Sequence, residues 1–154
     1  MDKWVLEITL SGEDETESLG RELAIWLKPG DVVALHGELG AGKTCLVRGL
    51  VQGLGLEESQ VASPSFSLIN EYTGTVPIFH IDCYRLQSDE EIEELGLEEY
   101  MDGPGITVIE WAERIRDLSE DRLEMYFSIL GERKRLLRIE ALGAMAEREI
   151  KIDF

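Results

Sequence analysis

The sequence predicts an α/β fold organised around a mixed β-sheet, and three observations predict it. Two continuous apolar runs, VVALH at 32–36 and GITVIEW at 105–111, have the composition of parallel strands buried on both faces. Other stretches carry apolar residues at helical spacing, giving the strand and helix alternation of an α/β architecture. Near the C-terminus MYFSIL, RLLRIEAL and REIKIDF alternate apolar with polar, as antiparallel strands do. With 154 residues, 44% hydrophobic and 31% charged, the chain suits one domain spanning 1–154 that buries about two-thirds of the surface its unfolded form exposes.

In chain order, WVLEITL (4–10) alternates like a strand. Ser11, three residues before Asp14, predicts a capping box opening a helix in which Thr16, Leu19, Leu23, Trp26 and Leu27 recur at helical spacing. Lys28-Pro29-Gly30-Asp31 is a turn into the first buried strand. CLVRGLVQGL (45–54) is helical, with Gly53 and Gly55 as stop signals. Residues 61–86 read as a hairpin broken at Thr73-Gly74-Thr75, with SFSLINEY and VPIFHIDCY as its arms. The acid-rich SDEEIEELGLEEYMDG predicts a short helix, and AERIRDL a helical turn or two. A turn from Gly131 to Arg135 separates the first two of the three tail strands.

Fifteen basic residues against 32 acidic ones leave a net charge of −17, a field that repels nucleic-acid backbones, so strong direct binding of nucleic acid is not expected. Such a surface suits a basic protein partner, or simply solubility. No apolar run approaches the roughly 20 residues that span a bilayer, which argues against a membrane protein. The amino-terminal MDKWVLEITLSGEDE lacks a secretion signal's apolar core, which predicts a cytoplasmic location. Cys45 and Cys83 lie far apart without a ligand-like cluster, the usage expected in a reducing compartment.

GELGAGKT, residues 37–44, matches G-x-x-x-x-G-K-[ST] between a predicted strand and a predicted helix. Gly37, Glu38, Leu39, Gly40, Ala41 and Gly42 supply main-chain N–H groups around a β-phosphate, and the following helix start, including Cys45, adds its dipole. Lys43 reaches β- and γ-oxygens, and Thr44 offers a hydroxyl to Mg2+. A second acidic ligand is expected at the carboxyl end of a neighbouring apolar strand, where Glu110 ends ITVIE. Asp82, inside the apolar FHIDCY, is the other candidate. It coordinates Mg2+ through water or orients the attacking water, the alternative being a strand-end carboxylate in solvent. GTPases commonly read guanine with Asn-Lys-x-Asp; the only Asn here, Asn70, is followed by Glu71, which favours ATP.

Four motifs then occur in order: GELGAGKT with CLVRGL, SPSFSLINEY at 63–72, FHIDCYRL at 79–86 followed by ELGLEEY, and VIEWAER at 108–114. Over residues 11 to 115 the chain resembles the TsaE family, formerly YjeE, the small ATPases of bacterial tRNA threonylcarbamoyladenosine formation. The resemblance implies a P-loop NTPase-like three-layer fold with a mixed central sheet, Mg-dependent ATP binding and hydrolysis, and docking onto the TsaD and TsaB proteins, which bind the tRNA. It implies that Lys43 and Thr44 bind phosphate and Mg2+, that Glu110 assists with the metal, and that Asp82 lies near the metal and the attacking water.

Ser65-Phe66-Ser67 stands where the family often has Thr-Phe-Thr, so Ser65 keeps the hydroxyl of a candidate switch with a freer rotamer. Cys45 is either a helix-start thiol whose lowered pKa invites oxidation or a small, partly buried residue. Trp111 and Tyr84 line the site, face a partner, or fill the core. His80, two residues before Asp82, supports the site or is a hydrogen-bonded core histidine. Arg85 and Arg114 steady a γ-phosphate or pair with nearby acids. The acidic stretch 89–99 is a solvated face or meets a basic partner patch. Competing functions are a small-metabolite kinase sharing the loop and a nucleotide-binding adaptor that does not hydrolyse.

Overall fold

The computed structural model describes residues 3–38, 40–56, 69–84, 86–148 and 150–152. Among them seven strands form one sheet: β1 (Lys3–Ser11), β2 (Val32–His36), β3 (Ile69–Tyr72), β4 (Ile78–Asp82), β5 (Ile106–Glu110), β6 (Arg122–Ile129) and β7 (Lys134–Leu142). Their spatial order is β1-β7-β6-β2-β5-β4-β3. The inner strands β6, β2, β5 and β4 run parallel, whereas β7 is antiparallel to both β6 and β1, and β3 to β4. The apolar runs of β2 and β5 follow from this placement, because a central parallel strand is covered on both faces.

Helices α1 (Glu13–Ala24) and α2 (Lys43–Gly53) cover one face, where Leu19, Leu23, Leu46 and Leu50 belong to one core with Val33, Leu35, Val108 and Met125. The two helices meet backbone to backbone: a Cβ on Gly49 would lie 2.1 Å from the Glu17 carbonyl oxygen, so only glycine permits the approach. On the other face α3 (Asp89–Glu94) and α4 (Leu97–Met101) lie where Leu86, Leu97 and Ala112 join Val32, Ala34, Ile81 and Ile109 in a second core. The result is the three-layer α/β fold with a mixed central sheet that the sequence predicts.

Several expectations are corrected. Ser11 does not cap α1: it is the last residue of β1, paired with Lys134, and Gly12 occupies the cap position without a side-chain cap. Asp14 is not the partner of Ser11 either: the Ser11 N–H donates to the Glu15 carboxylate at 3.2 Å, and the Gly12 N–H to the Arg133 carbonyl. The helix stops at Ala24, short of Trp26 and Leu27. The acidic stretch forms two short helices rather than one, broken at Gly96 in the left-handed conformation. REIKIDF supplies no strand among its described residues: Arg148 closes a 3-10 helix, and residues 150–152 lie outside any strand. That tail is instead tied down by the Trp26 indole N–H, which donates to the Lys151 carbonyl at 3.1 Å.

Candidate functional site

Strands β2, β5 and β4 end side by side, with Leu35 opposite Glu110 and Glu110 opposite Asp82. The glycine loop leaves β2 at this end and turns into α2 at Gly42, whose φ of 112° is the left-handed geometry that favours glycine. Lys43 is the first helical residue, and the N-cap position Gly42 makes no side-chain cap, the setting in which a helix start meets an anion.

Lys43 is buried at 5% exposure and donates from Nζ to the Gly37 carbonyl at 2.7 Å. The same ammonium lies 3.7 Å from Glu110 Oε1 and 4.5 Å from the centre of the Trp111 ring. Trp111 leaves β5 with φ at 60°, the one positive-φ residue other than glycine among those described, and its ring packs 4.9 Å from that of Tyr84. Such a conformation costs about 1–3 kcal/mol and turns the indole under the loop lysine. Glu110 is buried, and its Oε2 lies 2.5 Å from His80 Nε2; His80 Nδ1 faces the Tyr72 hydroxyl at 3.4 Å. Trp111 and His80 therefore belong to the site rather than to an inert core.

Asp82 stands one strand further from the loop than Glu110 and accepts from the Tyr84 N–H at 2.9 Å. Burial pushes its carboxyl pKa up, aided by the Glu110 charge, against the pull of that N–H, His80 and Lys43. Arg114 does not reach the loop lysine's surroundings: its guanidinium donates to the Leu86 carbonyl and lies 6.0 Å from the Tyr84 ring. Leu39, Ser65 and Arg85 lie outside the described residues.

Above the loop opens a pocket of about 400 Å³, lined by Gly40 to Cys45 and Glu110. Its far wall was not legible locally: it comes from Gly12–Asp14 and Thr16 at the start of α1 and from Glu132, Arg133 and Arg135 in the β6–β7 turn. The β1–β7 pairing carries these together, with the Gly12 N–H donating to the Arg133 carbonyl at 2.7 Å. Arg135 Nη2 also donates to the Gly40 carbonyl at 3.2 Å, fastening the turn to the loop. Gly37 faces Lys43 through its carbonyl, and Glu38, exposed, accepts from the Ala41 N–H at 3.1 Å. Cys45 is partly buried, and its thiol pKa is raised rather than lowered: burial and the charges of Glu13 and Glu17 outweigh the pull of Arg48.

Among the described residues no group of three or more His, Cys, Asp or Glu could hold a metal ion by itself. Thr44 and Glu110, both lining the pocket beside Lys43, offer a hydroxyl and a carboxylate. That set fits Mg2+, which prefers hard oxygens and takes few protein ligands when phosphates complete its shell.

A sequence profile described as "Threonylcarbamoyl adenosine biosynthesis protein TsaE" matches residues 10–137. The chain belongs to the TsaE family. This TsaE-family chain is 40% identical over 132 residues to the tRNA threonylcarbamoyladenosine biosynthesis protein TsaE of Bacillus subtilis (strain 168), covering 84% of this chain and 82% of that one. It is 42% identical over 134 residues to the TsaE protein of Rickettsia felis, covering 86% and 78%, and 47% identical over 114 residues to that of Nostoc sp., covering 71% and 69%. The crystal structure of Bacillus subtilis YdiB superposes with a TM-score of 0.78 at 33% identity, covering 96% of this chain and 92% of that one. The TsaE assignment carries a role in tRNA threonylcarbamoyladenosine biosynthesis and a P-loop NTPase-like fold. No described helix is long and apolar enough to cross a membrane.

Proposed function

We propose that this TsaE-family chain is a Mg-dependent ATPase of the cytoplasm that drives the TsaD–TsaB proteins through the nucleotide state of its loop. The observation that carries the proposal is the junction of Lys43 with Glu110, 3.7 Å apart and buried at the mouth of the pocket. A buried lysine and carboxylate at a helix start supply charge of both signs, one for phosphate oxygens and one for a divalent cation. The loop amides and Lys43 bind the β- and γ-phosphates, while the wall formed by α1 and the β6–β7 turn receives the nucleoside. Thr44 and Glu110 would hold Mg2+, which would supply neutralising charge on the phosphate oxygens. Asp82 holds the attacking water; its raised pKa makes it a better proton acceptor than a solvated carboxylate.

Phosphate release from ATP, followed with and without TsaD and TsaB, tests the proposal. Slow release that rises when the partners are added is expected. Phosphate appearing on a small molecule would replace it with the kinase alternative, and binding without release would leave an adaptor.

A further inference from the structure

His80 is fully buried on β4, on the face it shares with Ile78 and Asp82. A leucine or valine there would extend the apolar core, whereas an imidazole must be compensated by hydrogen bonds. The compensation is specific. Nε2 meets Glu110 Oε2 at 2.5 Å and Nδ1 faces the Tyr72 hydroxyl at 3.4 Å, joining β3, β4 and β5 in one line of polar contacts. A carboxylate only accepts, so Nε2 is the donor to Glu110. Glu110 thereby has one oxygen engaged by a neutral or cationic donor inside the sheet, and the other, Oε1, turned toward Lys43 at 3.7 Å. That second contact is longer than a hydrogen bond, which makes His80 the closer anchor of the carboxylate.

We propose that His80 is a positioning residue: by holding Oε2 of Glu110 it presents Oε1 as a single-oxygen acceptor for the divalent cation that accompanies the nucleotide. The inference rests on the assignment of Glu110 to that cation in the proposed function. Partners of ligand residues commonly change metal affinity by about 10–100-fold when removed. Only a donor at the Nε2 position serves the purpose, and the amide nitrogen of glutamine, unlike that of asparagine, reaches it.

Mn2+ affinity is measured by electron paramagnetic resonance on the full-length protein with a non-hydrolysable ATP analogue, for wild type, His80→Leu, His80→Gln, His80→Asn and Glu110→Gln. Analogue affinity in EDTA is measured alongside. The expected result is Mn2+ binding weakened about 10–100-fold in His80→Leu and near wild type in His80→Gln, with metal-free analogue affinity within about twofold of wild type in the His80 variants. Glu110→Gln weakened while His80→Leu matches wild type overturns the positioning role alone. Glu110→Gln and His80→Leu both matching wild type overturns the assignment of Glu110 and the inference with it. Should His80→Leu fail to fold, the Gln and Asn variants decide: Gln tighter than Asn supports the role, and equal affinities overturn it.

Discussion

Asp31 and Glu110 are buried to nearly the same degree, at 5% and 4% exposure, yet they stand at opposite ends of the parallel strands and have opposite surroundings. Asp31, just before β2, is clasped by Arg148 through two bonds of 2.5 and 2.8 Å and also accepts from the Lys28 N–H at 2.6 Å. Both oxygens are committed. Glu110, at the far end of β5, has one close bond to His80 and a looser approach to Lys43, and it borders a pocket. A buried carboxylate whose every oxygen is bonded within the chain holds the fold together. One that keeps an oxygen facing a cavity costs more to bury and is retained where a ligand completes it.

The largest expected effect comes from breaking the open end. Lys43→Ala should lower ATP affinity by about 100-fold or more, about 2.7 kcal/mol, with little change in melting temperature; titration calorimetry beside a thermal melt checks both. Breaking the closed end should do the reverse. Arg148→Met leaves Asp31 buried and unpaired and should cost about 2 kcal/mol in urea denaturation, discounted because the arginine is partly exposed, with ATP affinity unchanged. Adding Asp31→Asn should recover part of that loss, since the stranded charge is removed with its partner.

A third buried carboxylate sharpens the comparison. Glu124 accepts from Arg122 Nε at 2.6 Å and from His36, which also bonds Glu113 at 2.9 Å. Burial pulls the His36 pKa down, but its bonds to Glu124 and Glu113 win and raise it above 6.5. For Glu124 burial pushes up, and His36 and Arg122 win and lower it below 4.5. The histidine's contribution is complete below pH 6.5 and fades as pH rises through its raised pKa. The glutamate's is complete above pH 4.5 and fades as pH falls through its lowered one. Their joint contribution is therefore largest between these values, and melting temperature across pH should lose about 3 °C of that maximum in His36→Gln, on the order of 1 kcal/mol.

The smallest effect concerns Cys45, in the first turn of α2. With its pKa raised, alkylation by iodoacetamide near pH 7.5 should run several-fold slower than for a free cysteine. Rates equal to or above the free thiol's would mean that the helix dipole outweighs burial there.

Short windows of the chain encode the local features of this fold. GELGAGKT specifies a tight turn and a helix start through its glycines, and the runs VVALH and ITVIE specify central strands because both faces of those strands are covered. Glu110 was legible for the same reason, as a charge closing an apolar run. Which distant segments meet follows from the assembled sheet. Gly12 reaches Arg133 only through the β1–β7 register. His80 finds Glu110 only because β4 lies beside β5 in matched register. Periodicity records which way a side chain faces along its own strand, whereas the neighbour it meets depends on the order in which strands fill the sheet, and no local pattern carries that information.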